Sequence, residues 1–79
     1  MERYRNLSGD SGVVAYEIGD DFVAVRFRPG VVYWYTEASV GARHVAALKR
    51  LARCGQGLST YISEHADVSG GYARKEPDD

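Results

Sequence analysis

The chain has 79 residues, 44% apolar and 27% charged, with a formal net charge of −1. That is one small domain with a marginal core, a size that often gains stability from a partner or a second copy. Near-neutral charge means that the field of the whole molecule does not announce a nucleic-acid binder, so any electrostatic argument is local, and the single cysteine, Cys54, excludes an intrachain disulfide and the paired ligands of a zinc finger.

Residues 1–11 are polar and glycine-bearing and read as a flexible N-terminus. The opening Met1-Glu2-Arg3-Tyr4-Arg5-Asn6 has no apolar run of the kind a secretory signal needs. No stretch approaches the roughly 18 apolar residues of a membrane span. A cytoplasmic location and no membrane partner are therefore expected. The folded unit is predicted over residues 12–66, and residues 67–79 read as a disordered tail.

Val13 to Ile18 has the alternation and β-branching of a first strand. Gly19-Asp20 suits a tight hairpin turn. Phe22 to Arg28 is the second strand, Pro29-Gly30 a turn, and Val31 to Thr36 the third strand. A two-residue loop at Gly19-Asp20 sets Tyr16 opposite Val23. A two- or four-residue loop at Pro29-Gly30 sets Val25 opposite Trp34. One face then gathers Val14, Tyr16, Val23, Val25, Phe27, Val32 and Trp34 as the core. Tyr33, Tyr35, Arg26 and Arg28 fall on the opposite, open face. The assignment turns on parity: a one-residue slip at Pro29-Gly30 exchanges Trp34 with the tyrosines.

From Val40 the period becomes helical, with Val45, Leu48, Leu51 and Ala52 on one arc. Ser39 is the expected N-cap and Gly55 the expected stop. Leu58, Tyr61, Ile62 and His65 mark a second short helix. The predicted fold is α+β: a three-stranded antiparallel meander followed by two helices packed on one face.

The open face carries the candidate chemistry. Tyrosine rings and guanidinium planes stack on bases, and arginine also takes phosphate. Tyr33 and Tyr35 are candidate stacking residues, and Arg26 and Arg28 candidate phosphate or base contacts. Between Ala38 and Ser63 stand Arg43, Lys49, Arg50 and Arg53 and no acid, so one helix face is positive and suits a nucleic-acid backbone. The plainer readings are an ordinary β surface and a solvated helix face. The expected partner is RNA or DNA. The alternative is a protein partner or a homodimer formed through the same tyrosines.

His44 and His65 are too few for a usual metal site, and His44 borders the apolar arc as a packed residue would. Cys54 stands at a helix C-terminus, where thiolate is not favoured. No spacing of nucleophile, base and orienting acid is recognisable. Neither an enzyme, a cofactor, a metal nor a small-molecule substrate is expected.

Several of these segments together resemble the KTSC domain family, named for a segment at the C-terminus of some lysyl-tRNA synthetases. Tyr33-Trp34-Tyr35 matches its central Tyr-x-Tyr. Val23 to Phe27 with Gly30 matches the apolar strand before it, and Ala15-Tyr16-Glu17 the aromatic-bearing first strand. Gly55, Leu58 and Ile62 match the glycine and apolar positions after the first helix. Ser39-Val40-Gly41 stands where the family often has Val-Pro; Arg53 and Ser59 replace a frequent Ser and Asn. The family has no established activity. Its attachment to a tRNA synthetase implies an RNA-binding role, in line with the aromatic and arginine face.

Overall fold

The computed structural model describes residues 1–9, 11–28 and 30–77. Asp10 of the N-terminal stretch, Pro29 of the predicted turn, and Asp78 and Asp79 of the tail lie outside the described residues. The described residues form five strands: β1 Glu2–Arg3, β2 Val13–Ile18, β3 Phe22–Phe27, β4 Val31–Thr36 and β5 Arg74–Pro77. They also form four helices: α1 Glu37–Val40, α2 Ala42–Cys54, α3 Leu58–Glu64 and α4 Ala66–Ser69. The strands make one antiparallel sheet in chain order, β1 to β5.

The α+β class and the central meander match the expectation, but three strands and two helices understate the fold. Both segments outside the predicted 12–66 unit add an edge strand. β1 pairs Glu2 with Tyr16 and Arg3 with Ala15. Tyr4 follows it into the core at 3% exposure. β5 pairs Lys75 with Tyr33 and Arg74 with Trp34. The physical reason is the meander itself, whose outer strands offer rows of unpaired N–H and C=O groups. Polar sequence is no obstacle to pairing there, because an edge strand gains backbone hydrogen bonds without entering the core.

The hairpin registers decide the faces. β2 meets β3 with Ile18 opposite Val23 and Tyr16 opposite Val25, so the turn is at Asp20-Asp21 rather than Gly19-Asp20. That two-step change in pairing preserves the faces. A bulge between Val13 and Ala15 puts Val13, not Val14, in the core. Between β3 and β4 the change is one step: Phe27 pairs with Val31 and Val25 with Tyr33, across residues 28–30. Three residues connect these strands, not two or four, and Gly30 takes a positive φ of 149° that suits glycine. The odd loop turns β4 over. Tyr33 and Tyr35 face the helices, while Trp34 and Val32 face away, so the expected open face and core face of this strand are exchanged.

The core cluster joins Val13, Val23, Val25 and Tyr35 of the sheet to Val45, Leu48 and Ala52 of α2 and to Leu58, Ile62 and Val68 beyond it. Ala15, Ala24 and Val32 are buried on the other side of the sheet, outside that cluster. The helices therefore cover one face and leave the other helix-free. Ser39 is not the expected N-cap: it lies inside α1 as the third residue of a capping box, and α2 starts after Gly41 with no side-chain cap. Thr36 is the N-cap of α1, its hydroxyl accepting from the Ser39 N–H while the Ser39 hydroxyl accepts from the Thr36 N–H. Gly55 ends α2 as expected, left-handed at φ 85°, with its N–H donating to the Leu51 carbonyl.

Candidate nucleic-acid interface

Trp34 is central to the helix-free face. Cross-strand pairing lines up Glu17, Ala24, Trp34 and Arg74 in one row and Arg3, Ala15, Arg26, Val32 and Glu76 in the next. The small residues Ala15, Ala24 and Val32 lie low, and Trp34 and the arginines rise between them. Trp34 is half-buried. The Arg74 guanidinium sits 4.8 Å from its ring centre and donates through Nε to Glu76 at 2.6 Å. Trp34 and Arg74 together line an open groove with Phe22, Thr36 and Asp21. Arg26 lies diagonally across the strand pair from Trp34, within reach of a group stacked on the indole.

The predicted site residues are distributed differently from the expectation. Arg26 is exposed on the helix-free face. Tyr35 is 2% exposed within the core, and burial, aided by the nearby Tyr33 and Tyr72 phenols, holds its own phenol well above the ordinary range. Tyr33 is half-buried on the helix side, edge-on to Phe27 at 5.5 Å and to Tyr72 at 4.9 Å, with the Lys75 ammonium 5.6 Å from its ring centre. Arg28 stands beyond the end of β3 and lines a groove on that same helix side. A partner docking on paired tyrosines would find no free surface at Tyr35.

Arg43, Arg50 and Arg53 are exposed on α2, opposite its buried Val45, Leu48 and Ala52. Lys49 is half-buried and donates to the Asp20 carbonyl at 2.8 Å, tying the helix to the β2–β3 turn. Because α2 packs on the inner side of the sheet, these cations and Trp34 lie on opposite sides of the molecule. The structure brings Arg26 to Trp34, Arg28 to Tyr33, and neither pair to the α2 cations.

Sequence reasoning missed three features. Phe22 and Trp34 share an outward groove, visible in the alternation of β3 and β4 once the loop parity is known. Arg74 and Lys75, consecutive in a tail read as disordered, alternate over Trp34 and Tyr33 on the two faces of the sheet. The third is a polar tie among the helices. The Tyr61 hydroxyl lies 2.7 Å from Nδ1 of His44, whose Nε2 lies 2.9 Å from Asp67. An ionised Asp67 only accepts, so Nε2 of His44 donates to it, and the Tyr61 hydroxyl completes the hydrogen bonding of the ring at Nδ1. That hydrogen bond from His44 is the main cause holding Asp67 below the usual carboxylate range. His65 stacks on the Tyr61 ring at 4.0 Å and its Nδ1 donates to the Tyr61 carbonyl at 2.7 Å. Residues read singly as packing therefore link α2, α3 and α4. Among the described residues no cluster of His, Cys, Asp or Glu has the makings of a metal site, and no helix is long and apolar enough to cross a membrane.

In comparisons with known proteins, no family model, no curated protein and no solved structure matches the chain.

Proposed function

We propose that the chain is a non-catalytic binding domain for single-stranded nucleic acid, RNA before DNA, and that its contact surface is the helix-free face of the sheet. The observation that carries this reading is Trp34 on that face, beside Phe22 and diagonal to Arg26. An indole beside a guanidinium is the pairing that stacks a base and neutralises its phosphate. Arg3 extends the positive row two strands from Arg26. Arg74, engaged with Glu76, orients Trp34 and covers one side of its ring.

The resemblance to KTSC domains belongs to the same proposal. In this register the Tyr-x-Tyr motif splits its roles: Tyr33 and Tyr35 anchor β4 to the helices, and the residue between them makes contact. The roles first assigned to Tyr33 and Tyr35 pass to Trp34 and Phe22. The α2 cations Arg43, Lys49, Arg50 and Arg53 drop out of the contact set.

The test is a fluorescence-polarisation titration with mixed-sequence single-stranded RNA and DNA at low and moderate salt. Binding should weaken as salt rises. Trp34→Ala should weaken it by about 5- to 150-fold, the loss of one stacked base, in a variant that remains folded by circular dichroism. Absence of binding by the unmodified chain, or equal binding by Trp34→Ala, refutes the proposal.

A further inference from the structure

The groove on the helix side of the sheet, away from Trp34, has a chemistry of its own. Its volume is about 330 Å³, at the lower end of small-molecule sites. Phe27, Val31 and Ile62 give it apolar walls, Tyr33, Tyr35 and Ser69 bring hydroxyl groups, and Arg28 brings a cation. Phe27 and Tyr33 meet edge to face at 90°, a corner in which a flat ring packs well.

Tyr35 is the informative residue. It is 2% exposed and lines the groove, yet its hydroxyl has no hydrogen-bond partner among the described residues. Buried hydroxyls in that condition are rare and costly, and each calls for a ligand or water to complete it. The Tyr33 and Tyr72 phenols lie close enough to add to the rise in its pKa, so the hydroxyl stays protonated and is available as a donor.

We infer that this groove binds a small organic anion with a flat apolar body. The anionic oxygen accepts from the Tyr35 and Ser69 hydroxyls and pairs with Arg28, while the body packs against Phe27, Tyr33 and Ile62. Carboxylates and phosphate monoesters share this chemistry: one compact anionic group facing two hydroxyl donors and one guanidinium.

The experiment is a two-dimensional NMR titration of the full chain with benzoate, phenyl phosphate and neutral benzamide, with melting curves alongside. The variants are Tyr35→Phe and Arg28→Gln, with Arg43→Gln as a distant control. Saturable shifts centred on Tyr33, Tyr35, Ile62 and Ser69 are expected with at least one anion, and benzamide should bind about tenfold more weakly or worse. Whichever anion binds more tightly identifies the head group. Tyr35→Phe and Arg28→Gln should each weaken the anion by about tenfold, and Arg43→Gln should not. Tyr35→Phe should not lower the melting temperature, since the hydroxyl it removes has no partner among the described residues to lose. Absence of saturable shifts at millimolar probe, equal binding by Tyr35→Phe, or a melting temperature lowered in that variant would overturn the inference. Nucleic-acid binding through Trp34 stands or falls separately, because that residue is on the other side of the sheet.

Discussion

Trp34 and Tyr35 are adjacent in sequence and opposite in role. Tyr35 is packed against the core of a chain with little core to spare, so Tyr35→Ala should cost about 3–5 kcal/mol, as for other buried aromatics, and leave little folded protein in a urea titration. Trp34→Ala removes a half-buried ring from the helix-free face and should leave the fold in place. The Tyr35 and Tyr4 phenols are both raised, chiefly by burial. A group whose folded pKa lies above its unfolded value stabilises fully below the unfolded value and loses that contribution as pH rises. Stability should therefore hold to about pH 10 and fall above it. Tyr35→Phe should blunt the fall when urea midpoints are followed from neutral to alkaline pH. Asp67 has the opposite sign. Its pKa is lowered, so the contribution of its bond to His44 is present above the ordinary carboxylate value and is lost as pH falls through the lower folded value. Asp67→Asn should remove that acid-side dependence without altering the alkaline one.

At the scale of elements, ends matter more than interiors. Gly55 closes α2 in a left-handed conformation, and its carbonyl accepts from the Leu7 N–H at 2.7 Å. The Arg5 guanidinium donates to the Arg53 and Cys54 carbonyls at the same helix end, where a cation also meets the negative end of the helix dipole. A Cβ on Gly55 would come within 2.8 Å of the Arg5 Cβ. Gly55→Ala should therefore lower stability by at least the left-handed penalty of about 1–2 kcal/mol, with further loss if the N-terminal segment is displaced. Melting curves would show the first. Faster amide exchange at Leu7 would show the second. Rigid retention of Leu7 protection would mean that Arg5 adjusts without releasing the segment.

For the whole molecule, the arrangement of charge is the main consequence of the fold. Arg3 and Arg26 accompany Trp34 on one side, while Arg43, Arg50 and Arg53 lie on the other. An Arg3→Glu/Arg26→Glu double variant should weaken RNA binding sharply and flatten its remaining salt dependence, since two phosphate contacts are lost. Arg43→Glu/Arg50→Glu, with the same change in net charge, should leave affinity within about threefold at moderate salt, where charges beyond a Debye length of about 10 Å are screened. Equal losses in the two variants would mean that the field of the whole chain, rather than one face, holds the nucleic acid.

Local sequence was enough to locate the three central strands, the α2 helix with its buried Val45, Leu48 and Ala52, and the glycine that stops it, because each follows from side-chain period or backbone freedom within a few residues. It also marked Tyr33-Trp34-Tyr35 and Arg26 as the stretch to examine. Which of those aromatics faces outward depended on whether an even or odd number of residues joins β3 to β4, and side-chain period within a strand carries no information on that count. The edge strands, and the tie among His44, Tyr61 and Asp67, likewise come from distant segments meeting. Glu2, Arg3, Arg74 and Lys75 have no apolar pattern to announce a strand; they become one only because a neighbouring backbone offers unpaired donors and acceptors. Composition and periodicity thus determined the elements and the class of the fold. Tertiary pairing decided the faces, and with them which residues can meet a ligand.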